Sequence, residues 1–297
     1  MLLVQLLVGG AFVFAASNDF FQDDGETSPA TTVSTASGTA PRDRFDEDRA
    51  FRLLREQVVR YGPRPAGSRS LRRLARRLKR LLPNGRFERV PGHPLLRNVV
   101  GHLPGRKPAI LIAAHYDTKD EPKGFVGAND GAGGTAAVVE LARAMRGASV
   151  DQELRFVLFD GEESPRGCDD FLRCGVRGSR AYAKRHADEL QALILLDFIA
   201  EKDLRIPREG TSDIELWGHL RAAARRVGHA DVFPDEVGAE IQDDHTPFLE
   251  AGVRSINLID FDFPQWHTRD DDMDVVSAQS LDAAGETVAQ LLLDWQW

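Results

Sequence analysis

The sequence predicts an α/β fold. Short apolar runs at residues 109–114, 156–159 and 192–196 have strand length, and each stops abruptly at a polar residue. Longer stretches between them carry apolar residues at helical spacing, as at Val138, Val139, Leu141, Ala142 and Met145. A chain of 297 residues that is 42% hydrophobic and 28% charged has core enough for one sizeable α/β domain or two small ones. The net charge of −8 gives no reason to expect a nucleic-acid partner. Two cysteines exclude both a disulfide scaffold and a cysteine-based zinc site.

Residues 1–17 are apolar through Ala16 except for Gln5 and end in small residues, with no Lys or Arg ahead of the run. They read as a signal peptide or a membrane anchor, being shorter than the about 20 apolar residues of a spanning helix. Residues 18–43, rich in Ser, Thr, Ala, Asp and Gly without apolar periodicity, read as a disordered linker. This start predicts an extracytoplasmic protein, secreted, periplasmic or tethered to a membrane through its N-terminus. The folded region is then 44–297, read as a monomer.

Phe45, Phe51, Leu54 and Val58 share one helical face. A turn-rich loop over 61–68 precedes an amphipathic helix marked by Leu71, Leu74, Leu78, Leu81 and Leu82. Its other face holds Arg72, Arg73, Arg76, Arg77, Lys79 and Arg80, which suits an anionic membrane surface but more often means a solvated outer face. Residues 87–90 and 98–103 read as a strand pair. The run 109–114 is a buried strand that ends in His115-Tyr116-Asp117, where His115 can bind a metal and Asp117 orient its ring. Asp130 stands ahead of Gly131-Ala132-Gly133-Gly134 and a helix over 135–145. It suits a helix cap as well as a metal carboxylate approached by small residues.

The run 156–159 stops at Asp160-Gly161 and is followed by Glu162-Glu163, past the carboxyl end of a strand, where α/β sheets place chemistry. One carboxylate can hold a metal while its neighbour moves a proton. Cys168 and Cys174 lie in the next loop, paired if the chain is exported and reduced otherwise. A helix over 179–190 leads to the strand 192–196, which ends at Asp197. After a helix over 213–227 comes a polar cluster at 241–248, a last core strand over 255–259, a loop holding Trp266-His267-Thr268 and Asp270-Asp271-Asp272, and a closing helix over 277–295.

Strand ends and loops thus offer His115, Asp130, Glu163, Asp197 and His267. Nitrogen and oxygen ligands without thiolate suit catalytic zinc, and two such ions can share a carboxylate when about 3.5–4 Å apart. Spacing alone does not bring the five together.

The stretches His115-Tyr116-Asp117, Gly127-Ala128-Asn129-Asp130, Phe159-Asp160-Gly161-Glu162-Glu163, Leu195-Leu196-Asp197, Asp243-Asp244-His245 and Trp266-His267-Thr268 resemble, in order and spacing, the zinc-dependent aminopeptidases and the related glutaminyl-peptide cyclotransferases. The likeness runs from about Tyr61 to the C-terminus. It implies a three-layer sandwich, a central mixed, mostly parallel sheet with helices on both faces, as in the zinc exopeptidases. It implies peptide or protein N-termini as substrate, and one or two zinc ions. Asp130, Glu163 and His267 are the implied ligands of the first, with His115 and Asp197 completing a second around a bridging Asp130. Glu162 is the implied acid/base. The cyclase branch further implies a hydrogen-bonded network of Asp197 and Asp243 with Glu162, and a substrate pocket lined by Trp266.

The branches differ in chemistry. An aminopeptidase activates water, with Glu162 taking its proton. A cyclase converts N-terminal Gln to pyroglutamate with release of ammonia, and positioning supplies much of the help because the reaction is intramolecular. Phe125-Val126-Gly127-Ala128, Ile241-Gln242-Asp243-Asp244-His245 and Phe263-Pro264 resemble the cyclases. Gly131 to Gly134 and the full set of ligands for two metals resemble the peptidases. The balance favours a bacterial-type glutaminyl cyclase, with a zinc aminopeptidase and a catalytically silent scaffold as alternatives.

Overall fold

In the computed structural model, residues 43–296 are described; the signal or anchor segment expected at 1–17 and nearly all of the linker expected at 18–43 lie outside them. In chain order the elements are α1 (Glu47–Arg55, continued by a π-helical turn, Glu56–Tyr61), α2 (Arg69–Leu81), β1 (Arg86–Val90), β2 (His93–Leu103), β3 (Arg106–His115), α3 (Gly134–Ala144), β4 (Gln152–Phe159), α4 (Phe171–Cys174), α5 (Arg177–His186), β5 (Leu190–Leu196), α6 (Ile214–Val227), α7 (Thr246–Glu250), β6 (Arg254–Leu258) and α8 (Ala278–Leu293). Helix starts follow local chemistry. Asp46 accepts the Arg49 amide at 2.8 Å, Ser68 that of Leu71 at 3.1 Å and Asp213 that of Leu216 at 2.8 Å, each satisfying an otherwise unpaired N–H.

The strands form one six-stranded sheet in the order β1-β2-β4-β3-β5-β6. β1, β2 and β4 pair antiparallel, whereas β4, β3, β5 and β6 run parallel. Alternation along β3 sends Ile110, Ile112 and Ala114 into a core shared with α1, α2, α3, α6 and α8. It sends Ala109, Leu111 and Ala113 into a second core with Tyr182 of α5 and Phe248 of α7. Helices therefore cover both faces of a mixed, mostly parallel sheet, which explains the uninterrupted apolar runs. Fully buried Phe156 sits in the first core, where truncation to Ala would cost about 3–5 kcal/mol.

Two expectations shift. The helix expected over 179–190 stops at His186; a 3-10 turn, Ala187–Glu189, follows, and Leu190 already opens β5. The strand expected over 98–103 begins at His93.

Register positions the strand ends. His115 pairs with Phe159 of β4, and Ala113 with Leu195 of β5. Continuing the second register sets Asp197 level with His115, while Glu162 and Glu163 lie just beyond Phe159.

Candidate metal centre and cleft

His115, at the end of β3, is 2% exposed. Its Nε2 lies 3.2 Å from Asp130 Oδ1 and 3.4 Å from Asp197 Oδ1. Its Nδ1 faces Asp117 Oδ1 and Glu162 Oε2, each at 3.8 Å. That distance exceeds a hydrogen bond. Asp117 instead accepts the backbone amides of Glu162 at 3.2 Å and Glu163 at 3.3 Å, fixing the turn after β4. The turn itself needs Gly161, whose φ is 80° and whose added Cβ would lie 2.7 Å from Leu96.

Asp130 does not cap α3, which has no side-chain cap. It sits in a kinked turn after Gly127, and Asp271 holds it there by accepting the amides of Asn129 at 2.7 Å and Asp130 at 3.0 Å. Arg64, fully buried, donates to the carbonyls of Tyr116 at 3.2 Å and Gly127 at 2.9 Å, and to that of Val126. Burial brings its guanidinium down to about 10, against the pull of Asp130, Asp271 and Asp117.

On the other side of Asp130 stands His267, held at a left-handed φ of 53°. Its Nε2 lies 3.5 Å from Asp130 Oδ2 and 3.4 Å from Glu163 Oε1. Its ring meets Phe125 edge-on and stacks on Trp266 at 4.4 Å. Glu163 Oε2 also faces Lys119 Nζ at 3.5 Å. Burial raises the Glu163 pKa, but the close approach and charge of His267, with Lys119 and His115, bring it below the usual value. Asp130 is raised to about 7 by burial and by the Glu163 charge. Glu162 is pushed well above its ordinary value by burial first, and by Glu163, Asp244 and Asp243, against the opposing charge of His115.

At this centre two groups of three side chains can each hold a cation: His115, Asp130 and Asp197, and Asp130, Glu163 and His267. Both ring nitrogens of His115, Oδ2 of Asp130 and Oε1 of Glu163 are buried without a hydrogen-bond partner. Ligands bound about 2.0–2.1 Å from a tetrahedral zinc lie about 3.3–3.4 Å apart. The separations above, 3.2 to 3.5 Å, match that edge. Unpartnered ligand atoms at tetrahedral spacing fit a metal.

A cleft of about 520 Å³ opens onto this centre and is lined by Asp130, Glu162, Glu163, Asp197, Asp243, Trp266 and His267. The chain therefore brings every candidate residue to one place. Trp266, 44% exposed, packs on Phe261 at 5.0 Å beside the opening. The expected hydrogen-bonded network takes a different form. Asp243 Oδ2 accepts from Asn257 Nδ2 at 2.7 Å, Asp197 Oδ1 accepts the Phe198 amide at 3.0 Å, and among the described residues no hydrogen bond joins Glu162 to either. The three carboxylates act on one another through charge: burial and then Asp197 raise Asp243 to about 6. Asp244, buried with neither oxygen bonded, is raised well above its usual value by burial and Asp243.

Several residues here escape sequence reading. Arg64, Asn257 and Asp271 organise the loops of the candidate site from 63, 14 and 141 positions away from Gly127, Asp243 and Asp130 respectively. Only the acidic run containing Asp271 gave a signal. The loop beside the cleft is closed by a Cys168–Cys174 disulfide.

A family model, peptidase family M28, matches residues 98–292. The glutaminyl-peptide cyclotransferase of Bos taurus is 27% identical, with 88% of this chain and 84% of that protein covered. Among solved structures, a leucine aminopeptidase precursor from Bacteroides thetaiotaomicron superposes with a TM-score of 0.77 at 25% identity, covering 87% of this chain and 100% of that one. The glutaminyl cyclase of Porphyromonas gingivalis gives 0.75 at 25% identity, covering 84% and 99%.

Proposed function

The chain belongs to peptidase family M28, and on that premise we propose that it is a zinc-dependent glutaminyl-peptide cyclotransferase. Its substrates are peptides or proteins with N-terminal Gln. The α-amine nitrogen bonds to the side-chain amide carbon, the bond from that carbon to the amide nitrogen breaks, and ammonia leaves. Asp130, Glu163 and His267 would hold the zinc, with His115, Asp197 and the shared Asp130 available to a second ion. When bound, the metal supplies Lewis-acid polarisation of the amide carbonyl. Glu162 takes the proton from the attacking amine and delivers it to the departing nitrogen, and its raised proton affinity suits both halves of that transfer. Asp117 holds the Glu162 backbone in place, and the Trp266 indole packs against the substrate.

The observation that carries this reading is Asp243. Hydrolysis assisted by a metal needs one carboxylate to move a proton. Asp243 is a further buried carboxylate, outside both metal groups, lining the same cleft as Glu162 and Trp266. It gives the substrate amine an anionic partner while Glu162 is occupied with the proton.

A zinc aminopeptidase is the second reading, favoured by the complete second group of His115, Asp130 and Asp197. The formed Cys168–Cys174 bridge supports an extracytoplasmic location, where disulfides persist. The experiment is mass spectrometry of two peptides incubated with the zinc-loaded protein, one beginning with Gln and one with Leu. Loss of one ammonia from the first alone supports the cyclase. Stepwise shortening supports the peptidase, and no change with zinc bound supports a silent scaffold.

A further inference from the structure

A cavity of about 560 Å³ beside α1, α2 and α3 shares no residue with the catalytic cleft. Arg49 and Arg52, Arg77 and Arg80, and Arg143 and Arg146 all line it. Each pair is three residues apart, about one helical turn, so both members of a pair share a face. Helices α1 and α2, and α3 with the turn that follows it, thus each bring two arginines to one concavity.

Two acids share it. Glu140, 2% exposed, pairs with Arg49 at 3.6 Å and with Arg143, and Glu56 pairs with Arg77 at 3.4 Å. Arg146 donates to the Leu81 carbonyl at 3.2 Å. The side chains of Arg52 and Arg80 have no hydrogen bond or ion pair among the described residues. A chain of net charge −8 has no general excess of cations to explain six arginines in one cavity. Leu53, Leu81, Ala136 and Val139 supply apolar wall, which strengthens any ion pair formed there.

We propose that this cavity is a binding site for a phosphate-bearing anion. The forked donors of arginine match phosphate oxygens, and the paired arginines are already positioned by Glu56 and Glu140. The same chemistry is offered by a soluble phosphate ester and by a phospholipid headgroup. The site stands independently of the reaction assigned to the cleft.

Calorimetry of the full zinc-loaded chain with glycerol 3-phosphate tests the first source. Co-sedimentation with phosphatidylcholine vesicles, with and without phosphatidylglycerol, tests the second. Arg52→Gln/Arg80→Gln breaks no ion pair, so the fold is retained. It should weaken whichever binding is seen about tenfold or more, given the worth of charge-assisted hydrogen bonds, and leave peptide turnover unchanged. Arg73→Gln/Arg76→Gln removes the same charge from α2 outside the cavity and should leave binding nearly intact. Glycerol 3-phosphate binding alone identifies a soluble ester, and vesicle binding lost in Arg52→Gln/Arg80→Gln identifies a headgroup. Binding of neither probe, or equal loss in both double variants, overturns the proposal.

Discussion

Nε2 of His115 and Oδ1 of Asp197 lie 3.4 Å apart, on the ends of two strands joined by parallel pairing. Both also approach a group that includes Asp130, whose second oxygen faces His267. One carboxylate therefore belongs to two candidate ligand sets. Elemental analysis after zinc loading and desalting should find up to two ions per chain. His115→Ala should leave one, and Asp130→Ala none. Two ions retained by Asp130→Ala would remove it from both sets.

Glu162→Gln keeps the shape of the side chain but cannot accept the proton. Turnover should fall about 10²–10⁴-fold, the usual worth of a positioned acid/base, with zinc content unchanged. A near-normal rate would assign the proton transfer to another group.

Glu209 ties down the loop that carries Asp243. It accepts the amides of Thr211 at 2.9 Å and Ile241 at 3.0 Å and the Ser212 hydroxyl at 2.9 Å, and it faces His245 Nε2 at 3.3 Å. Burial raises its pKa, but these partners, His245 foremost, bring it to about 2 from 4.5. The folded pKa is below the unfolded one, so this stabilisation is complete above about pH 4.5 and fades as pH falls towards 2. Glu209→Gln should lose about 1–3 kcal/mol at neutral pH and flatten that part of the acid unfolding curve, followed by near-UV circular dichroism. An unaltered acid limb would contradict the assignment.

Cys168 and Phe171 line the cleft, and the bridge to Cys174 closes the loop they share. Cys168→Ser/Cys174→Ser should lower stability by about 2 kcal/mol and raise KM severalfold with zinc retained. Steady-state kinetics on the Gln peptide decides this; an unchanged KM would mean that the loop does not touch substrate.

The strand ends were legible because parallel strands buried on both faces read as apolar runs, and the polar residue ending each run stands out. That logic reached His115, Glu162, Glu163 and Asp197. Asp130 was ambiguous because an Asp ahead of a helix suits a cap equally well; only the kink at Gly131 turns it away from α3. Leu190 reads as helix in the sequence because the three-residue turn before β5 has no apolar signature. Asp271, Arg64 and Glu209 were invisible in their roles. Each serves backbone groups distant in sequence or spread over several segments, and no local pattern encodes such a partner.

The candidate metal ligands and the rest of the cleft wall have different supports. His115 and Asp197 follow neighbouring strands β3 and β5, and Glu163 follows β4, so their spacing is tied to the sheet itself. A slip of β3 by one residue would put Tyr116 where His115 stands and dismantle the centre together with its core. Ile241, Phe261 and Trp266 stand on loops, and Phe171 on the four-residue α4. Sequence drift can therefore reshape the cleft wall through those loops, while the candidate metal centre is inherited with the fold and cannot be traded away piecemeal.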